Sequence, residues 1–327
     1  MAIFKKFVLL VLRISISIAL LIFLFHQIDK GVLLEIIKSS DKKLLLFAFL
    51  IFSLTYPLCL YRWEMLLKAS EIRLPLKRII TAFSAGIFFS LLLPSTIGGD
   101  LVRTLDLASH TKKPRQILTT VILDRLSGYA ALASLAVIAV FLGLRLIKEN
   151  SVIIAVSILT AVLIGLLLVL FNSFVYGRVN RFLRALPGNK IMDSISNLHQ
   201  EMHYFRRHKN IILGNFCLSL LIQIISPVTF YIIALALGIK SLDIMYFFIF
   251  LPIIGAITLL PITIGGLGLR DASTVFFFSK AGLAKDLAFS MSLISFFFLV
   301  VWGSIGGLYY VLTIHYRRIQ HHKSPSL

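Results

Sequence analysis

Two stretches of this chain are nearly identical. Residues 92–103 read Leu-Leu-Pro-Ser-Thr-Ile-Gly-Gly-Asp-Leu-Val-Arg, and residues 259–270 read Leu-Leu-Pro-Ile-Thr-Ile-Gly-Gly-Leu-Gly-Leu-Arg. The shared residues recur without a gap at a constant offset of 167 positions. An internal repeat of this kind indicates two corresponding structural units within one fold. We therefore interpret the rest of the chain as a scaffold for these two stretches.

The composition is that of a membrane protein. Of the 327 residues, 58% are hydrophobic and 14% are charged, whereas soluble domains carry about 25% charged residues. The net charge of +19 lies in short segments between apolar runs, where it indicates topology and attraction to anionic lipid rather than a nucleic-acid partner. Cys59 and Cys217 have no spacing typical of a metal site or a disulfide framework, so we predict no metal and no cofactor.

Apolar runs of roughly 20 residues cross a bilayer as helices. We predict an all-α integral membrane protein with about six full transmembrane helices and two shorter re-entrant helical hairpins built around the repeated stretches. The expected domain is a single polytopic unit, residues 1–313. It includes a charged connection at 61–78 and a cytoplasmic amphipathic segment at 172–210, and a loosely ordered basic tail follows at 314–327. The expected full spans are 7–25, 44–60, 117–142, 151–171, 211–236 and 287–313.

The distribution of charge predicts the topology. With both termini in the cytoplasm, the inside segments hold 21 Lys and Arg residues and the outside segments hold 10, as the positive-inside rule requires. Three full spans separate the repeated stretches. Because three is an odd number, the hairpins enter from opposite sides and form an inverted-topology repeat, an arrangement that places a substrate site near the midplane. The expected location is the cell (inner, cytoplasmic) membrane.

Each repeated stretch contains the groups that bind a phosphate. A glycine pair permits positive φ and a close approach to a ligand, and free N–H groups at a helix start attract anions. The arginine that follows suits bidentate phosphate contact. Alternatively, the glycines only allow close helix packing and the arginines lie at the interface. Repetition of the arginine favours the binding site, because intramembrane charge is costly. These residues are Gly98, Gly99, Arg103, Gly265, Gly266 and Arg270.

Further charged residues accompany the two arginines. Asp100 and Asp271 belong to the repeated regions, and Asp124 and Arg125 lie within an expected span. One interpretation is structural pairing, of Asp100 with Arg125 or of Arg103 with Asp124, since buried charges usually pair. The other is an intramembrane polar pathway along Asp124 and Arg125, with a carboxylate that exchanges protons. Both interpretations can hold together.

The pattern as a whole resembles a known family. Pro-x-x-x-Gly-Gly-Asp-x-x-Arg, a long helix with an acidic residue and Arg, and then Gly-Gly-x-Gly-x-Arg-acidic is similar to the lysylphosphatidylglycerol synthase transmembrane region, or flippase-like domain proteins. The resemblance covers about residues 7–313 and adds Gly268 to the head-group site. Asp124 and Asp271 stand where it suggests Glu. In that family the membrane part of multiple peptide resistance factor proteins is regarded as a lipid flippase, and lysyl transfer belongs to a separate soluble domain.

The sequence therefore predicts a transporter and not an enzyme. The expected activity is movement of an anionic phospholipid or a polyprenyl-phosphate-linked lipid between leaflets by alternating access. Alternatives are the membrane subunit of a lipid-modifying or glycosyl-transfer enzyme, and an ion or small-solute transporter. Membrane lipid is the expected substrate, and the resemblance allows a lipid-synthesising enzyme as a partner. The oligomeric state is left open.

Overall fold

The computed structural model describes residues 30–93, 96–111, 113–143, 150–171, 209–259 and 265–323, with isolated positions at 15, 22, 145, 174, 177, 178, 262 and 263. Regular structure in these residues is entirely α-helical, which confirms the all-α class. The expected first span, 7–25, and the amphipathic segment, 172–210, fall almost wholly outside the described part of the chain.

We number the helices α1 to α11 in chain order over the described residues. They are α1 Lys30–Ser39, α2 Lys42–Ser53, α3 Thr55–Ala69, α4 Leu76–Leu92, α5 Thr96–Thr111, α6 Pro114–Leu142, α7 Asn150–Phe171, α8 Lys209–Ala236, α9 Ile244–Thr258, α10 Leu269–Lys280 and α11 Lys285–Lys323.

Four helical stretches among the described residues are long and apolar enough to cross a membrane. They are Lys42–Ala69 (α2 with α3), Pro114–Leu142 (α6), Lys209–Ala236 (α8) and Lys285–Thr313 (within α11). Their outer faces carry exposed aliphatic and aromatic side chains, such as Leu46, Phe141 and Leu308, which face acyl chains in a bilayer. The helices next to the repeated stretches are shorter, with 17 residues in α4 and 15 in α9, less than the roughly 20 that a span needs.

One expected boundary is wrong. The span expected to end at residue 60 continues as α3 to Ala69 and carries Arg62 as a buried residue, so Arg62 does not belong to a solvated connection. Charge alone does not interrupt helical hydrogen bonding. The last apolar stretch ends at Thr313 as expected, and α11 itself continues as far as Lys323.

The first glycine pair does not have the positive φ that the sequence allowed. Gly98 and Gly99 lie in the first turn of α5 and have no positive φ. They allow α5 to pack tightly on α4. A Cβ atom on Gly99 would lie 2.1 Å from the Gly86 carbonyl oxygen, and one on Gly98 would lie 2.6 Å from Leu93 Cβ. Helices α4 and α5 therefore form a close hairpin in which backbone meets backbone.

Substitution of Gly99 by alanine is expected to destabilise this hairpin. The new methyl group has no space, and overpacking typically costs about 1–3 kcal/mol. Gly165→Ala is the matched control, because no atom lies within 4 Å of a Cβ at that helical position, and alanine there is expected to be neutral or mildly stabilising. Thermal unfolding of both purified variants in detergent measures the difference. Equal midpoints for the two variants would contradict the tight hairpin.

Helix α4 runs antiparallel to α11. Near the end of α4, Leu91 packs on Gly303, whose Cβ position would lie 2.0 Å from Leu91 Cδ1. Nearer its start, the carbonyl oxygen of Ser84 lies 3.0 Å from the Cβ position of Gly306. At the base of the hairpin, Arg78 donates a hydrogen bond to His110 Nε2 (2.6 Å). The start of α4 and the end of α5 therefore lie together, toward the C-terminal end of α11.

Helix α10 packs on the other half of α11. Arg270, in its first turn, donates to Ser292 Oγ (3.2 Å), and its guanidinium group lies 5.0 Å from the Phe296 ring centroid. The second glycine pair packs against the end of α4 in the first hairpin. The carbonyl oxygen of Leu91 lies 3.7 Å from the Cβ position of Gly265. The two repeated stretches thus meet beside the middle of α11.

Candidate functional site

A cavity of about 360 Å³ lies where the two repeated stretches meet. Leu299, at the middle of the Lys285–Thr313 span, belongs to its wall, so the cavity reaches the centre of the membrane-spanning part. Its lining combines apolar side chains with five charged ones. The lining residues are Phe52, Thr55, Tyr56, Cys59, Arg62, Phe83, Gly86, Ile87, Ser90, Leu91, Asp100, Arg103, Asp124, Arg125, Gly265 and Leu299.

Helical periodicity explains how α3 presents its part of the wall. Tyr56, Cys59 and Arg62 follow one another at intervals of three residues, which places them along one face of the helix. The Tyr56 ring is stacked on Trp302 of α11, with centroids 4.4 Å apart, and Trp302 Nε1 donates to Ser53 Oγ (2.8 Å). This aromatic contact fixes α3 against α11 on one side of the cavity.

Asp124 of α6 joins two arginines from different helices. Its Oδ1 accepts from Arg62 Nε (2.7 Å), and its Oδ2 accepts from Arg103 NH2 (3.2 Å). Asp124 and Arg103 are each 3% exposed, and Arg62 is 7% exposed. Arg62 also donates to Ser219 Oγ of α8 (2.9 Å). Buried charges persist only when they are paired in this way, so the contacts tie α3, α5, α6 and α8 together.

Asp100 of α5 makes the second set of pairs. It accepts two hydrogen bonds from Arg125, from Nε (2.7 Å) and from NH2 (2.9 Å), which is a bidentate arrangement. It also lies 3.0 Å from NH2 of Arg103. The two pairings expected from the sequence, Asp100 with Arg125 and Arg103 with Asp124, are therefore both confirmed.

The side chain of Arg103 is held by its surroundings but keeps hydrogen-bonding capacity. Its guanidinium carbon lies 4.7 Å from the ring centroid of Trp63, whose Nε1 donates to Thr120 Oγ1 (3.2 Å). The absence of a side chain at Gly86 leaves room for the Arg103 stem, since a Cβ there would lie 3.3 Å from Arg103 Cδ. Arg103 Nε is buried and has no hydrogen-bond partner among the described residues. A buried, unpartnered donor of this kind favours an acceptor that reaches it.

The electrostatics of the cavity favour an anion. Three arginines and two aspartates among its lining residues leave a formal charge of +1 in a region of low dielectric. Low dielectric strengthens any Coulomb attraction. Guanidinium groups bind carboxylate and phosphate oxygens through several directed N–H donors. The arrangement can therefore hold one anionic oxygen group within the membrane-spanning part of the protein.

The second stretch adopts a different local structure. Gly265 and Gly266 have positive φ, as the glycine pair allowed. Gly268 has positive φ as well, and α10 begins only after it. The Gly268 N–H group donates to Asp271 Oδ2 (2.9 Å), so the helix N-terminus binds the protein's own carboxylate. Asp271 also accepts from Ser292 Oγ (2.5 Å) and from Arg270 NH2 (2.7 Å). Of the second-stretch residues in the predicted site, only Gly265 lines the cavity.

The sequence reasoning missed Arg62 and Ser219. Arg62 follows Cys59 by three residues and precedes Trp63, Leu66 and Leu67, all of which are buried. This continued helical periodicity was the signal that could have placed Arg62 inside a span. Ser219 carried no such signal, because a serine in an apolar helix is most often bonded to its own backbone. Its bond to Arg62 depends on the packing of α8 against α3.

Comparisons with known proteins agree with the resemblance seen in the sequence. The family model of the lysylphosphatidylglycerol synthase TM region matches residues 10–307. A UPF0104 membrane protein of Methanothermobacter thermautotrophicus is 25% identical over 315 residues, covering 89% of this chain and 92% of its own length. A UPF0104 membrane protein of Pyrococcus horikoshii is 21% identical over 326 residues, covering 92% of this chain and 96% of its own length. This chain therefore belongs to the family of the lysylphosphatidylglycerol synthase transmembrane region.

Proposed function

We propose that this protein moves an anionic lipid, a phospholipid or a polyprenyl-phosphate-linked lipid, between the leaflets of the cell membrane, and that both termini lie in the cytoplasm. The observation that carries the proposal is the net-positive cavity within the membrane-spanning part of the protein. Its arginines supply donors for a phosphate group, and intramembrane charge usually serves a transported or bound ligand.

The size of the cavity suits a lipid head group, and its lining supports a lipid over an ion. Its volume of about 360 Å³ is at the lower end of the range for small-molecule sites, about 300–1,000 Å³. It holds a head group but not a whole lipid, so the acyl chains stay in the surrounding bilayer. The apolar side of the lining, including Phe52, Ile87 and Leu299, suits the first methylene groups of those chains. An ion pathway needs no such apolar wall.

The contacts along α11 support two hairpins of opposite orientation. The base of the α4–α5 hairpin lies toward the C-terminal end of the Lys285–Thr313 span. The end of α10 lies at the N-terminal end of that span, with only four residues between α10 and α11. Their inner ends meet at Leu91 and Gly265 beside the cavity. Two hairpins that reach the same cavity from opposite sides are suited to alternating access, because each can open toward one leaflet while the other stays closed.

The carboxylates favour binding over catalysis. Both aspartates that line the cavity are engaged by arginines. A general acid or base instead needs a carboxyl group that is free to exchange a proton with substrate. We therefore propose that the chain itself is not an enzyme, even though its family takes its name from a synthase. Lipid chemistry would then belong to another polypeptide or domain.

The test is transfer of a fluorescent phosphatidylglycerol analogue between leaflets of proteoliposomes. Arg103→Gln is expected to lower the protein-dependent rate about tenfold or more, because a charge-assisted hydrogen bond contributes about 1.5–3 kcal/mol. Arg73→Gln is the matched control, since Arg73 is exposed and lies outside the cavity; its rate should equal that of the unmodified protein. If protein-free vesicles transfer the lipid equally fast, or Arg103→Gln retains the full rate, the proposal fails.

A further inference from the structure

The five charged side chains of the cavity form a linear chain of alternating sign: Arg62, Asp124, Arg103, Asp100, Arg125. Asp124 lies between Arg62 (2.7 Å) and Arg103 (3.2 Å), and Asp100 lies between Arg103 (3.0 Å) and Arg125 (2.7 Å). Arg103 therefore occupies the centre of the chain. It is the only one of the three arginines whose two carboxylate partners each have a second arginine.

The outer pairs are also the stronger ones. Arg125 binds Asp100 through two short hydrogen bonds. Arg62 is fixed from two directions, since its NH1 donates to Ser219 (2.9 Å) and its carbonyl oxygen accepts from Asn215 Nδ2 (3.1 Å). The contacts of Arg103 to the two aspartates are longer, and its Nε has no partner among the described residues.

Removal of a buried partner is costly when it leaves a charge unpaired. If Arg103 turns toward a ligand, Asp124 keeps Arg62 and Asp100 keeps Arg125, so no carboxylate is left alone. If Arg62 were missing, Arg103 would be the only counter-ion of Asp124 and could not leave it without that cost. Arg62, which lies outside both repeated stretches, thus gives Asp124 a counter-ion other than Arg103.

We propose that Arg103 is the exchangeable guanidinium group that transfers from Asp124 and Asp100 to the anionic group of the ligand, and that Arg62 is a positioning residue that neutralises Asp124 when this happens. The inference rests on the proposed function, because it specifies how the same cavity receives its ligand. It also predicts that one buried positive charge is available to the ligand, because the five charged side chains of the cavity carry a net charge of +1.

The experiment measures binding of dioctanoylphosphatidylglycerol, a monoanionic phosphodiester, to detergent-purified protein by native mass spectrometry. Uncharged dioctanoylglycerol is the control probe. Arg103→Gln and Arg62→Gln are each expected to weaken binding of the anionic probe at least about tenfold. The decisive variant is Arg62→Gln/Asp124→Asn. It removes the carboxylate that would retain Arg103, so binding is expected to return to within about threefold of the unmodified protein. Arg62→Lys, which keeps the charge, is expected to bind similarly well.

A direct contact between Arg62 and the ligand predicts a different result, because binding would then stay weak in Arg62→Gln/Asp124→Asn. Persistent weakness in that variant overturns the inference, as does unchanged binding in Arg62→Gln or in Arg103→Gln. If Arg62→Gln does not yield folded protein, the double variant and Arg103→Gln decide the question, since both keep every carboxylate paired. If the unmodified protein does not prefer the anionic probe, the proposed function itself fails, and the inference fails with it.

Discussion

A variant that keeps Cys59 as its only cysteine, Cys217→Ser, is expected to react faster with an anionic methanethiosulfonate reagent than with a cationic one. The chain has two cysteines, and Cys59 belongs to the cavity wall. Clefts lined by one sign of charge raise the local concentration of the opposite ion and its association rate by about 10-fold to 10³-fold; this cavity is lined by three arginines and two aspartates, so its net charge of +1 corresponds to the lower end of that range. A preference within that range is the expected result in proteoliposomes at low ionic strength.

The preference follows from the position of Cys59 among the charged side chains. It lies one helical turn before Arg62 on the same face of α3, in a cavity with a formal charge of +1. A sulfonate reagent is therefore attracted to the site where the thiol is, and an ammonium reagent is repelled. Raising the salt concentration is expected to reduce the ratio of the two rates, because screening weakens the field. An excess of short-chain phosphatidylglycerol is expected to slow the labelling.

The complementary variant, Cys59→Ser, controls for reaction elsewhere. Cys217 lies within the α8 span and is exposed on its outer surface, where it faces acyl chains in a bilayer. Water-soluble reagents of either charge are expected to leave it unmodified, whereas an apolar maleimide should reach it. Faster reaction of Cys59 with the cationic reagent, or no reaction with either one, would contradict an open cavity of positive charge.

The sequence predicted the ion pairs of the site because a charged side chain inside the membrane needs a partner of opposite charge. Asp100, Arg103, Asp124 and Arg125 were the charged residues recognised near the first hairpin, and isolated charges in hydrocarbon are too costly to persist. The sequence did not predict Arg62 as a site residue, because the expected span ends at residue 60, before the first group of charges. The structure shows that such a residue can lie well inside a helix when its partner is buried with it.

The sequence pattern does not predict the structural difference between the two repeated stretches. Thr104 and Asp271 occupy corresponding positions, as do Leu101 and Gly268. Asp271 caps α10 and its helix starts after Gly268, whereas Thr104 donates to the Asp100 carbonyl oxygen inside α5 (2.7 Å). The first glycine pair therefore lies inside α5, whereas the second pair precedes α10 and only its Arg270 lies in the first turn of that helix. Single substitutions beside a motif can shift a helix start, which a comparison of the motifs alone does not reveal.

The proposed opposite orientation of the hairpins predicts an all-or-none labelling result. In a background without native cysteines, Cys59→Ser/Cys217→Ser, the substitutions Lys113→Cys and Lys280→Cys are expected to react with a membrane-impermeant maleimide from opposite sides of the membrane. Both positions are exposed. Lys113 follows the end of α5, and Lys280 is the last residue of α10.

The contacts with α11 give the physical reason for this expectation. Arg78 and His110 join the start of α4 to the end of α5, and α4 runs antiparallel to α11, so Lys113 lies toward the C-terminal end of the Lys285–Thr313 span. Lys280 lies at the other end of that span, beside Lys285. The span has 29 residues, or about 43 Å at 1.5 Å per residue, which exceeds the bilayer core of about 30 Å.

Lys77→Cys is the matched control for this labelling. Lys77 lies in the first turn of α4 and is exposed, so it is expected to react from the same side as Lys113→Cys. Labelling intact cells and inverted vesicles separately identifies that side, which should be the cytoplasmic one. If Lys113→Cys and Lys280→Cys react from the same side, the hairpins do not have opposite orientations, and alternating access between them is then ruled out. If instead Lys77→Cys and Lys113→Cys react from different sides, α4 and α5 together make a single crossing and do not form a re-entrant hairpin.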